Sequence, residues 1–107
     1  MADKWWKAVE RRVAKYFGTE RTPLSGGNGK QTRSDTLHPV LFVETKAKKK
    51  HTAVSLWDDT AGKAKVEGKT PVVVLCEKGR TGFWVMVHSD DLSRVADARR
   101  NLEVLGE

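Results

Sequence analysis

Ser34–Asp35–Thr36–Leu37–His38–Pro39–Val40–Leu41–Phe42–Val43–Glu44–Thr45–Lys46 is the stretch on which the reading of this chain turns. Val40 to Val43 is an unbroken apolar run, long enough for half of a strand buried on both faces. A carboxylate and an ammonium follow it. Side chains alternate along a strand, so Glu44 and Lys46 share one face and Thr45 takes the other. Ionised groups beside a core strand need a partner, a metal or water to offset their desolvation. Asp35 stands upstream, across His38–Pro39, where a turn is expected. Two acids and a lysine at one strand end can hold a divalent cation against a phosphate. Mg²⁺, or Mn²⁺ in its place, suits an all-oxygen site of one or two carboxylates with retained waters. Asp35 and Glu44 supply the carboxylates, and the Thr45 carbonyl is a further candidate ligand. Lys46 would then steady the attacking water or the developing negative charge.

The composition is compatible with that chemistry. The 107 residues are enough for one core, and residues 1–107 are expected to form a single domain. Lys and Arg number 20 against 14 Asp and Glu, a formal net charge of +6. That balance favours a polyanionic partner. One cysteine excludes an internal disulfide, and Cys76, inside an apolar run, is expected to be a buried inert thiol. Three scattered histidines (His38, His51, His88) and that cysteine match no zinc spacing. No apolar stretch approaches the roughly 18 residues of a membrane span, and Asp3 and Lys4 interrupt any leader-like start. A cytoplasmic, intracellular protein is expected, in the host cytoplasm if the chain is virus-encoded, with no membrane partner.

Working outward, residues 3–17 predict an amphipathic helix. Trp6, Val9, Val13 and Phe17 recur on one side, Lys4, Lys7, Arg11 and Lys15 on the other, with Asp3 as N-cap and Gly18 as stop. Glu10 borders the apolar stripe, either paired with Lys7 or Arg11 or aimed at a site. Helical phase favours Glu10 over Glu20 for the second role, since Glu20 follows the stop. Thr19–Thr22 predicts a short strand, and Ser25–Gln31 a glycine-rich loop with Lys30 and Arg33 as a positive edge. That loop is no P-loop: Leu24 occupies the upstream glycine position, and Gln31 stands where Ser or Thr is required. Lys48, Lys49 and Lys50 form a basic patch beside the Glu–Lys pair, placed for phosphate contact. Residues 52–67 predict a second helix capped by Thr52. Pro71–Cys76 and Phe83–His88 predict a hairpin around Glu77–Gly82, and residues 90–104 a last helix capped by Ser89 or Asp90. The order is helix, short strand, long strand, helix, two strands, helix. The fold class is α/β (α+β), a central mixed β-sheet flanked by helices.

An acid, a spacer, then Glu-x-Lys on a core strand, behind a helix carrying an inward glutamate, resembles the PD-(D/E)XK nucleases. Here the pattern runs Glu10, Ser34–Asp35 and Glu44–Thr45–Lys46. Val9–Glu10–Arg11, followed by Arg21–Thr22–Pro23–Leu24–Ser25–Gly26, looks most like archaeal-type Holliday junction resolvases. The resemblance covers about residues 4–76. It implies a restriction-endonuclease-like core in which Asp35 and Glu44 are the principal metal ligands and Lys46 is the catalytic lysine. It further implies Glu10 as an outer acid ligand and Ser25 as a loop serine that assists cleavage. Serine replaces the family's proline before Asp35, a change read as harmless because only the acid binds metal. A short Asp35–Glu44 spacer is the second departure, and implies a tight hairpin.

The expected activity is therefore metal-dependent hydrolysis of phosphodiesters at four-way DNA junctions, with Arg21, Lys30, Arg33, Lys48, Lys49 and Lys50 contacting DNA. Symmetric cutting of two strands implies a homodimer. Another small nuclease of the same superfamily (nicking, repair or homing) is the alternative enzyme. A non-catalytic basic nucleic-acid-binding module is the alternative from a different class.

Overall fold

The computed structural model describes residues 4–23 and 32–100. Three helices and a two-stranded antiparallel sheet make a mixed α/β chain. It divides into two compact units, Met1–Lys49 and Lys50–Glu107.

In the first unit, α1 spans Lys4–Tyr16. Ala14 is buried, and Trp6, Val9, Val13 and Phe17 are half-buried, the face that the spacing predicts. The helix ends at Gly18, whose φ of 71° places it in the left-handed region. Its amide reaches Lys15 O at 2.9 Å and the Thr19 amide reaches Ala14 O at 2.9 Å, so the last carbonyls of the helix are satisfied. The chain then returns as a narrow antiparallel bridge with Arg21 opposite Thr36. Thr22 N donates to Asp35 O at 3.0 Å and Leu37 N to Glu20 O at 2.9 Å. Thr36 is fully buried there and Ser34 nearly so.

The predicted core strand is not formed. Residues 41–48 carry no strand ladder, and Val40 and Phe42 are 81% and 68% exposed. The cause is local. His38 Nδ1 accepts from the Val40 amide at 3.0 Å and the Leu41 amide at 2.9 Å, which curls the start of the apolar run into a turn. Pro39 has no amide to contribute. The donors that would have opened a ladder are spent on a side chain, and only Val43 onward rejoins neighbouring chain.

In the second unit, α2 spans Thr52–Glu67, within the predicted bounds, but its N-cap is His51, with no side-chain capping bond, rather than Thr52. Gly68, at φ 66°, closes it through amide bonds to Ala64 O and Lys65 O. α2 lies against β1 (Val73–Leu75). β1 pairs with β2 (Trp84–Met86) in the register Val73↔Met86, Val74↔Val85, Leu75↔Trp84. Both strands are shorter than their apolar runs. Cys76 lies past the end of β1 and is exposed, contrary to the buried thiol expected. In the turn, Gly79 and Gly82 take positive φ, and the Arg80 guanidinium sits 4.8 Å from the Trp84 ring centroid. A 3₁₀ turn at Ser89–Asp91 leads into α3 (Leu92–Arg100); His88 caps that turn, its side chain accepting from Asp90 N, and Ser89 and Asp90, expected as caps, lie within it. Arg94 Nε donates to Thr70 Oγ1 at 2.9 Å, tying α3 to the segment before β1. Leu92, the first residue of α3, is exposed. Val73 is the one buried apolar residue among those described in this unit. The predicted cap at Asp3, the end of the predicted last helix beyond residue 100, and the candidate residues Ser25 and Lys30 lie outside the described residues.

Candidate functional site

The candidate site is built in the first unit from α1, the 20–22/35–37 bridge and the segment from Val43 to Lys48. Ser34 joins the last two. Its hydroxyl donates to Val43 O at 3.0 Å and accepts from Val43 N at 2.8 Å and, at a longer 3.4 Å, from Thr36 N. One side chain thus replaces a rung of backbone pairing. Its own amide donates to Thr32 Oγ1 at 3.0 Å. The Asp35 amide adds a second bond to Val43 O at 2.8 Å.

Asp35 is held at its backbone and at one carboxylate oxygen. Its backbone bonds fix N and O, and its carboxylate Oδ2 accepts from Thr45 N at 2.6 Å. A carboxylate–amide bond of this length is charge-assisted and orients the acid firmly. Oδ1 stays available to a ligand among these contacts. Thr45 Oγ1 is buried without a hydrogen-bond partner among the described residues.

Glu10, Thr45, Lys46 and Lys48 line one open cavity of about 220 Å³, together with Trp6 and Ala47. The inward glutamate of α1 and the Thr45–Lys46 step therefore meet in one depression, while Asp35 grips Thr45 from its amide. Glu10 does not pair with Lys7 or Arg11 as the helix alone suggested. Arg21 Nε donates to Glu10 Oε1 at 2.7 Å, and both side chains are only 17% exposed. The Arg21 guanidinium also lies 5.7 Å from the Trp6 ring centroid. Glu44 does not line the cavity. It pairs with Lys46 at 3.1 Å on the exposed surface, where such a pair contributes little stability.

Among the described residues, no group of three or more His, Cys, Asp or Glu side chains is gathered to hold a metal ion. The donor chemistry nonetheless suits a hard cation that keeps most of its water: an oriented Asp35 carboxylate, Glu10 and the oxygens of Thr45. Of the other cationic candidates, Arg33, Lys48, Lys49 and Lys50 are exposed, whereas Arg21 is committed to Glu10.

Two features escape sequence reasoning. Ser34, set aside as a harmless replacement for proline, is the post on which Val43 hangs. Its only sequence signal is a small hydroxyl beside the acid. The Arg21–Glu10 pair depends on the bridge to Thr36, which no local pattern announces. No helix among the described residues is long and apolar enough to cross a membrane. Comparison with protein-family models, curated proteins and solved structures gives no match to this chain.

Proposed function

We propose that this protein is a metal-dependent DNA endonuclease of the PD-(D/E)XK type, with a central mixed sheet completing its core. It acts on branched DNA, the four-way junction above all, as a homodimer inside the cell. The observation that carries the reading is the grip of Asp35 on Thr45 beside the cavity shared by Glu10, Thr45 and Lys46. In the proposed mechanism, Asp35 and Glu10 would hold Mg²⁺ or Mn²⁺ with the Thr45 carbonyl, and Glu44 would join them on leaving its surface pair with Lys46. When bound, the ion supplies polarisation of a phosphodiester oxygen and acidification of a water. Lys46 supports the developing negative charge, and Arg33, Lys48, Lys49 and Lys50 neutralise backbone phosphates. Ser25 and Lys30 belong to the same proposal through the loop that carries them.

The test incubates the purified chain with labelled junction, fork and linear duplex DNA, with Mg²⁺ and with EDTA. Symmetric nicks near the branch point are expected, only with the ion. Asp35→Asn and Glu44→Gln are expected to abolish cutting while binding persists. Equal cutting of plain duplex would remove the junction preference and leave a general nuclease. A second reading, a non-catalytic phosphate-binding module, draws on the pairing of Glu10 with Arg21 and Glu44 with Lys46. It predicts binding that weakens steeply with salt, with no product and no dependence on a divalent ion.

A further inference from the structure

A second cavity in the first unit, about 480 Å³ and open to solvent, is lined by Arg11, Lys15, Thr19, Glu20 and Arg21. Arg11 and Lys15 are one turn apart on α1 and so stand on the same face of the helix. The sequence alone assigns them to a solvated back. Both are exposed, as that reading expects, and the return of the chain after Gly18 sets Thr19, Glu20 and Arg21 beside them along the open shelf.

Arg21 is what makes this shelf more than a charged surface. Arg21 lines the shelf, and its guanidinium is bound through Nε to Glu10, an acid in the wall of the first cavity. One N–H of its fork is therefore occupied and the guanidinium lies near the Trp6 ring, while its other N–H groups have no hydrogen-bond partner among the described residues. With Arg21 neutralised by Glu10, the shelf holds Arg11 and Lys15 against Glu20. If Arg21 turns from Glu10 to the shelf, it adds one more cation. Guanidinium forks bind carboxylate and phosphate with the same bidentate geometry, so Glu10 and an incoming phosphate compete for one donor set.

We infer that Arg11, Lys15 and Arg21 form a binding shelf for a backbone phosphate of nucleic acid, and that Glu10 is its internal competitor, occupying Arg21 until a phosphate takes over. This rests on the nucleic-acid part of the proposed function and adds to it a contact site distinct from the lysine patch. Thr19 gives the shelf a hydroxyl beside the phosphate. Glu20 opposes the anion and limits the shelf to contacts that also engage Arg21.

The experiment measures fluorescence anisotropy of a labelled four-way junction with the full chain in EDTA, across a salt series. Arg11→Gln and Lys15→Gln are each expected to weaken binding several-fold and to flatten the salt dependence by about one unit of slope, the signature of one lost phosphate contact. Lys63→Gln, which removes an exposed cation of α2 outside the shelf, controls for net charge and is expected to act less. Glu10→Gln is expected to tighten binding several-fold in the parent chain and to have no effect in an Arg21→Gln background. Arg21→Lys, which keeps the charge and loses the fork, is the substitute background if Arg21→Gln does not fold by circular dichroism. The shelf is overturned if Arg11→Gln and Lys15→Gln bind no worse than Lys63→Gln. Competition is overturned if Glu10→Gln tightens binding equally with and without Arg21, which marks a general charge effect. A parent chain that binds no junction at all overturns the nucleic-acid reading itself, whereas cleavage with an inert shelf overturns this inference alone.

Discussion

Replacing Ser34 by alanine removes one oxygen and leaves the segment that carries Glu44, Thr45 and Lys46 held by Asp35 alone among these bonds. The hydroxyl serves three backbone groups of unequal consequence. Val43 O keeps the Asp35 amide at 2.8 Å and is not orphaned. Thr36 N is 3.4 Å from the hydroxyl, a weak bond whose loss costs little. Val43 N, at 2.8 Å, loses its acceptor in a part-buried position. An unsatisfied buried donor costs about 1–3 kcal/mol, and the lost bond from the hydroxyl to Val43 O adds about 1 kcal/mol. The expected destabilisation is about 2–4 kcal/mol, which at a urea sensitivity of about 2 kcal/mol per M lowers the unfolding midpoint by about 1–2 M. Tryptophan fluorescence in urea reads the midpoint, and hydrogen exchange at the Val43 amide reads the local bond. Ser55→Ala is the control. Its exposed hydroxyl reaches His51 O at 3.4 Å, and its loss is expected to stay within about 0.5 kcal/mol. A Ser34→Ala midpoint no lower than that of Ser55→Ala, with Val43 exchange unchanged, refutes the role given to this hydroxyl.

Glu10→Gln and Arg21→Gln should each destabilise the chain by about 1–3 kcal/mol, and the double variant by less than the sum, because each single change strands a part-buried charge; additive urea midpoints would show that the pair contributes nothing. Gly18→Ala and Gly62→Ala should move in opposite directions in thermal melts followed by circular dichroism. At both positions an added Cβ meets nothing within 4 Å, but Gly18 has φ of 71° and the change costs about 1–2 kcal/mol, whereas Gly62 sits inside α2 and gains about 0.5–1 kcal/mol. Thr45→Val removes a buried hydroxyl that has no partner among the described residues and should leave stability unchanged or raise it by up to about 1 kcal/mol; a loss of more than about 1 kcal/mol in urea would reveal an acceptor or donor at Oγ1.

What could be read from the sequence is what short-range chemistry decides. α1 follows from the spacing of Trp6, Val9, Val13 and Phe17, and its end from a glycine that tolerates positive φ. α2 and the β1–β2 hairpin follow from periodicity and from Glu77–Gly82. The half-buried setting of Glu10 was legible from helical phase, but its partner was not, because Arg21 reaches it only after the chain reverses at Gly18. Residues 34–46 fared least well. Four apolar residues in a row predict a core strand, yet one imidazole nitrogen two residues upstream collects the amides of Val40 and Leu41. Periodicity counts side chains and cannot see that competition for backbone donors. Ser34 was misjudged for a related reason: its value lies in hydrogen bonds to a residue nine positions away.

The β1–β2 hairpin has a colloidal consequence. Among the described residues each strand pairs on one flank only, and Val74, Leu75, Trp84 and Val85 are exposed. An open edge with apolar, β-branched and aromatic side chains recruits other strands with little regard for their sequence. What opposes that recruitment between copies is the repulsion of molecules each carrying a formal charge of +6. Salt shortens the reach of that repulsion from about 10 Å at 0.1 M to about 3 Å at 1 M and strengthens apolar contact if the anion is kosmotropic. Neutralising the cations that carry that charge is therefore expected to lower the solubility limit of the chain, which light scattering across a salt series would read.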